Sequence, residues 1–280
     1  MRSSIFLTVL VIVTIFFGTM TSYSKETNSN LIEQRVISYI KAIHYWKYSC
    51  KDDNDLIQPY DSLVYYNKEL MNYLNHACKT NPAIMNYNFD SAKNIRLGFG
   101  VVASEDKKLK YYYWNTETGG TMLFFDAIVQ YSWKGNIRTK VLNDISDPLK
   151  KEEKSDCWMW YDTVYTLHTT KKKTVYIVIG TSVLYSDLEA TSIESYCIEN
   201  GALKHVPFFR MTKSLLSSIF YEYSIFANSD FIDNREKYSV HLSTNGKKLY
   251  IPVIQDETPT GKWIVYNYDG DKFVYDKNAK

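Results

Sequence analysis

Asn94 divides the chain into two kinds of apolar pattern. Before it, apolar residues recur three and four positions apart; after it, they alternate as far as residue 276. Alternation with period two places every second side chain on the same face of a strand, whereas the 3.6 period places a stripe along a helix. The chain is therefore expected to be mainly β, with an N-terminal helical hairpin.

The alternating part shows an internal order three times: strand, polar turn, strand, loop, strand, short polar turn with Gly or Asn, strand. The units span residues 97–141, 163–206 and 237–276. Their last turns contain Lys134-Gly135-Asn136, Asn200-Gly201 and Asp269-Gly270-Asp271, residue types that supply positive φ in tight hairpins. Tyr165-x-x-His168 and Tyr238-x-x-His241 fall at similar places in the second and third units. Repeated four-stranded antiparallel meanders are expected, arranged either like propeller blades or as a curved sheet or sandwich. Three units are too few for an ordinary propeller of four to eight blades.

In the helical segment, 25–94, two stripes stand out. Ile32, Val36, Tyr39, Ile40, Ile43 and Trp46 form the first, within residues 31–50; Leu63, Tyr66, Leu70, Tyr73, Leu74 and Ala77 form the second, within 62–78. Asn30 and Glu33 have the spacing of a capping box. The polar loop between the stripes carries Asp52, Asp53, Asn54 and Asp55, but lacks the alternation, central Gly and distal Glu of a calcium loop. Four cysteines, Cys50, Cys78, Cys157 and Cys197, allow three pairings. Cys50 and Cys78 extend the two helical stripes, and a disulfide between them is expected if the second helix folds back on the first.

The N-terminus predicts the compartment. Arg2, the apolar run Ile5–Phe17, and Ser22 and Ser24 ahead of Lys25 follow the order of a secretory signal peptide over residues 1–24. The alternative, an uncleaved anchor, requires a longer span of about 20 apolar residues. The protein is thus expected to be exported, periplasmic or secreted, with no membrane span after cleavage. Lys and Arg total 33 against 31 Asp and Glu, so no strongly basic face and no nucleic-acid partner are expected, and the short runs Lys171–Lys173 and Lys150–Lys154 read as turn and linker residues facing water. The 25 Tyr residues suit strands with one packed and one wetted face, or a surface on which sugars stack.

Motifs for chemistry are sparse. The sequence has no H-E-x-x-H, P-loop, dinucleotide fingerprint or C-x-x-C, and no cofactor is expected. Gly180-Thr181-Ser182 lacks the second Gly of a nucleophile elbow, and Ser104-x-x-Lys107 lies in a turn rather than at a helix start. His168, His205 and His241 all fall in the β-region, but a half-exposed strand position explains each better than a metal. Glu117, Asp126, Asp162, Asp187 and Glu194 are candidate carboxylates for a glycosidase pair, and spacing selects no two of them. Trp114, Trp133, Trp158, Trp160 and Trp263 are candidate stacking platforms, and each could equally be an ordinary core or strand residue. The Gly119-Gly120 pair, flanked by Thr116, Glu117, Thr118 and Thr121, could present backbone N–H groups to an anion or sugar oxygen, or simply break a strand.

The segment Trp114-Asn-Thr-Glu-Thr-Gly-Gly-Thr-Met122 resembles a W-[ND]-T-x-T-G-G-T-M segment of uncharacterised exported bacterial proteins. The ending YIPVI…GKWIVYNYDGDKF is similar to the tail of the same group. The resemblance covers roughly residues 95–276 and implies no activity. The expected function is a non-enzymatic binding or interaction protein, with a glycan or an envelope protein as partner. The alternative is a carbohydrate-active enzyme or sugar-binding module of the bacterial envelope.

Overall fold

A computed structural model describes residues 28–48, 59–144, 159–225 and 238–279. The predicted signal peptide, Cys50, Cys157 and Trp158 lie outside these residues. The chain is mainly β and is built in layers: a helical layer followed by three sheets, antiparallel but for one pair of strands, each sharing an apolar seam with the next. The layers match a curved sheet sandwich.

Helix α1 covers residues 28–48 and α2 covers Pro59–Thr80. Proline at the start of α2 has no N–H to leave unpaired and a φ already suited to a helix. Val36, Ile40 and Ile43 of α1 and Leu70, Leu74 and Cys78 of α2 are all essentially inaccessible. A 3-10 turn, Pro82–Asn86, and a short helix α3, Asp90–Asn94, complete the layer. Helix α1 already begins before Asn30, so Asn30 and Glu33 do not form the expected capping box. Glu33 is buried instead. Its carboxylate accepts from the Ala92 N–H at 2.9 Å, at the start of α3, and from the Tyr87 hydroxyl at 2.6 Å.

The first sheet has strands β1 (Phe99–Ala103), β2 (Leu109–Asn115), β3 (Phe125–Trp133) and β4 (Asn136–Asn143), in that order. Alternation assigns its two faces. Tyr112, Trp114 and Ile128 point at the helices; Leu109, Tyr111, Ala127, Val129 and Tyr131 point at the second sheet. A strand covered on both sides reads as a nearly continuous apolar run, as β2 and β3 do.

The second sheet contains β5 (Trp160–His168), β6 (Thr174–Val183), β7 (Leu188–Glu199) and β8 (Ala202–His205). Strand β7 is long enough to pair with β8 along its second half and with β11 (Ser218–Ser224) along its first. The third sheet contains β12 (His241–Leu242), β13 (Lys248–Gln255), β14 (Thr258–Tyr268) and β15 (Phe273–Tyr275). It is extended by β9 (Phe209–Arg210) and β10 (Leu215–Leu216), and β9 runs parallel to β15. Ile177, Ile179 and Ile193 of the second sheet pack on Phe209, Leu249, Ile251 and Phe273 of the third.

One polar group pins the helical layer to the first sheet. Lys110 shares the helix-facing side of β2 with Tyr112 and is almost completely buried. Its Nζ donates to the carbonyls of Ile84, at 2.9 Å, and Tyr87, the last carbonyls around the 3-10 turn. The rings of Phe89 and Tyr112 lie 5.5 and 5.1 Å from it. Burial pushes this amine down to about 8.

Candidate functional site

The connection between β2 and β3 holds most of the residues the sequence marks for a ligand, and it is bonded into the neighbouring helices. Trp114 has no exposed surface, and its Nε1 donates to Asn67 Oδ1 of α2 at 3.0 Å. Thr116 is likewise buried: its carbonyl accepts from Asn67 Nδ2 at 2.9 Å, and its Oγ1 contacts Thr118 Oγ1 at 2.8 Å. Glu117 accepts from the Tyr48 hydroxyl of α1 at 3.0 Å. Gly119 offers its carbonyl, not its N–H, and accepts from Lys47 Nζ at 2.9 Å. The two glycines differ in kind. A Cβ on Gly119 would lie 2.0 Å from the Met122 carbonyl oxygen, whereas a Cβ on Gly120 would meet nothing within 4 Å. Neither has a left-handed backbone. Gly120 and Thr121 are exposed. The segment thus ties sheet to helices. Connections at the same place in the other meanders are much shorter: residues 184–187 between β6 and β7, and Asp256-Glu257 between β13 and β14.

Cys78 and Cys197 are free, buried thiols. The expected Cys50–Cys78 disulfide is not seen in the described structure. Cys78 sits at the centre of the helix–sheet seam with no exposed surface, and burial pushes its thiol up to about 12. The three β-region histidines each have local company: His168 Nδ1 lies 3.3 Å from Thr174 Oγ1, the His205 ring lies tilted against Tyr196, and His241 stacks on Tyr250. Among the described residues no group of His, Cys, Asp and Glu has the arrangement of a metal site.

The five candidate carboxylates are dispersed. Glu117 lies against α1 and Asp126 is buried within β3. Asp187 is in the β6–β7 turn, and Glu194 accepts from the Tyr196 hydroxyl in the seam between the first two sheets. Asp162 alone reaches an open cleft of about 330 Å3 between the second and third sheets.

That cleft is shaped by two irregularities in its strands. In β5 the pairing with β6 passes from Tyr161–Gly180 to Thr163–Ile179, which leaves Asp162 as the extra residue of a bulge. In β13 the pairing with β14 shifts between Pro252 and Ile254, and both residues line the cleft. Bulges turn a side chain away from the ladder and recur beside binding sites. Two of the three register shifts in the described strands therefore fall on one cleft. Asp162 is held from both sides: Trp160 Nε1 donates to Oδ1 and Thr181 Oγ1 to Oδ2, each at 2.7 Å. Trp160 is half-buried, its ring edge-on to Phe125 at 5.6 Å. Tyr221, Tyr223, Tyr238, Thr163, Thr181, Thr191 and Ser239 provide the rest of the polar lining, and Ile179, Val240 and Pro259 an apolar floor. The Tyr223 hydroxyl donates to the buried Glu189 at 3.0 Å. Burial raises the Tyr221 hydroxyl, opposed by its hydrogen bond with Thr191. The Tyr221 hydroxyl is thus kept neutral.

The sequence singles out Trp160 and Asp162 as candidates but not the tyrosines and threonines that line the cleft with them. The Tyr221-x-Tyr223 alternation in β11 signals one face, though not what that face meets. No known family matches this chain, and no similar curated protein or solved structure was found.

Proposed function

We propose that this chain is an exported, non-enzymatic binding protein that takes a neutral sugar-like ligand in the cleft between its second and third sheets. The carrying observation is the chemistry of the cleft wall. A half-buried indole stands beside a carboxylate already oriented by two donors, with tyrosine and threonine hydroxyls around an apolar floor. Aromatic faces cover the apolar faces of a sugar, while oriented carboxylates and hydroxyls match its hydroxyl groups. Asp162 is the only carboxylate among the described lining residues. Glycoside hydrolysis needs two, one on each side of the scissile bond, so binding fits the cleft better than cleavage.

The test is a titration of the purified protein with a panel of neutral mono- and oligosaccharides, read by tryptophan fluorescence. At least one sugar should bind the wild type, and Trp160→Ala and Asp162→Asn should each weaken it at least tenfold while keeping the melting temperature within a few degrees. Failure of every sugar in the panel, or binding by both variants as tight as by the wild type, would refute the proposal.

A further inference from the structure

The end of the sheets opposite the cleft carries a different surface. Trp160 opens β5 at the cleft, and the turn after His168 lies roughly 26 Å away at about 3.3 Å per residue. Three turns at this end are built alike. Leu109 N–H donates to Ser104 Oγ at 2.9 Å, Lys173 N–H to Thr169 Oγ1 at 3.0 Å, and Lys248 N–H to Ser243 Oγ at 2.9 Å. In each, the residue three positions after the hydroxyl residue donates back to its carbonyl: Lys107 and Lys172 at 2.9 Å and Gly246 at 2.7 Å. These residues have φ of 56°, 59° and 69°. The tight turns that close the first two meanders also match, with Lys134-Gly135 at 49° and 79° and Asn200-Gly201 at 52° and 74°.

Glycine and asparagine are the residues such positions favour, because a Cβ crowds the left-handed backbone. Gly246 and Asn200 obey that rule. Lys107, Lys134 and Lys172 do not, and all three are exposed, with no ion pair among the described residues. Unfavourable backbone with no ion pair in return points to a role for the side chain. Lys134 and Lys172, with Lys108, Lys171 and Lys173, line a groove of about 630 Å3 between the first two sheets. Glu199 is the one acid among its described lining residues, 3.6 Å from Lys173, and Lys108 and Lys171 meet Asp106 at 4.0 Å and Asp271 at 3.7 Å at its edge.

We propose that this groove is a second binding site, independent of the cleft, for a linear anionic polysaccharide. A nearly neutral chain places five lysines here against three acids, and Lys134 and Lys172 have no ion pair among the described residues. Lysines are mobile point charges that follow irregularly spaced anionic groups, whereas one fixed phosphate or carboxylate is matched better by the fork of arginine. The groove's one tryptophan, Trp133, already has Lys134 and Arg138 over its ring at 4.7 and 5.5 Å. The ring on which a single-stranded nucleic acid would stack a base is therefore taken.

Calorimetry of the purified protein with a dextran sulfate oligomer, neutral dextran of the same length, and single- and double-stranded DNA of the same charge tests this. Dextran sulfate should bind tightest, with an affinity that falls as salt is added. The double variant Lys134→Asn, Lys172→Gly should bind it at least tenfold more weakly and melt at or above the wild type. Unchanged affinity, tighter binding of either DNA, or a lower melting temperature in the double variant would each overturn the proposal.

Discussion

Two seams of the molecule differ in what their polar groups do. In the seam between helices and first sheet, each polar group reaches across to a neighbouring element: Trp114 and Thr116 to Asn67, Gly119 to Lys47, Glu117 to Tyr48, Lys110 to the end of the 3-10 turn. In the seam between the second and third sheets, two bulges hold the layers open and the polar groups surround a space. The first arrangement uses aromatic and polar residues to assemble the fold; the second leaves similar residues facing a ligand-sized volume. Residue types shared by both seams do not distinguish a joint from a site. Their partners do.

Substitutions in the closed seam should therefore lower stability, and substitutions in the open seam should lower binding. The largest expected effect is Trp114→Ala, about 3–5 kcal/mol by denaturant unfolding, since it empties a full indole volume and strands the Asn67 carbonyl. A loss below about 1 kcal/mol would break the comparison.

Lys110 comes next. Its folded amine titrates near 8, below the ordinary value of 10.5. Between those pH values the unfolded chain holds the proton and the folded chain does not, so stability rises with pH. Wild type should gain, relative to Lys110→Met, on the order of 3 kcal/mol from pH 8 to 10.5. The raised hydroxyls of buried Tyr111 and Tyr112 act in the opposite direction at higher pH in both proteins, and cancel in the difference. Parallel pH–stability curves would contradict the buried position of this amine.

The glycine pair sharpens the contrast within three atoms of backbone. Gly119→Ala should destabilise by about 1–3 kcal/mol through its clash with the Met122 carbonyl, while Gly120→Ala should stay within about 0.5 kcal/mol. Equal effects would mean the connection adapts, and that it does not lock the seam. A small change is also expected in Asp162→Asn. It should move stability by under about 1 kcal/mol, because the exposed amide retains one acceptor.

Much of the architecture is legible before any coordinates. The helical stripes end within a few residues of α1 and α2, because a buried face must recur every 3.6 residues. The meanders are visible because each tight turn needs its own residue types. The cleft is not legible. Its lining comes from β5, β6, β7, β11, β13 and β14, and its shape depends on bulges that no local pattern around Asp162 or Val253 announces. The polar run Thr116–Thr121 misleads for a related reason: its partners, Lys47, Tyr48 and Asn67, lie about 50 to 70 residues away along the chain. The sequence also does not reveal that Glu33 serves α3 rather than its own helix, since α3 lies across the layer.

The most direct measurement sets the two seams against each other in one titration. A sugar that quenches the fluorescence of the wild-type protein should bind Gly120→Ala with unchanged affinity and Trp160→Ala at least tenfold more weakly, with both variants folded. Loss of binding in Gly120→Ala together with full binding in Trp160→Ala would place the ligand at the glycine pair and contradict the assignment of the open seam as the site.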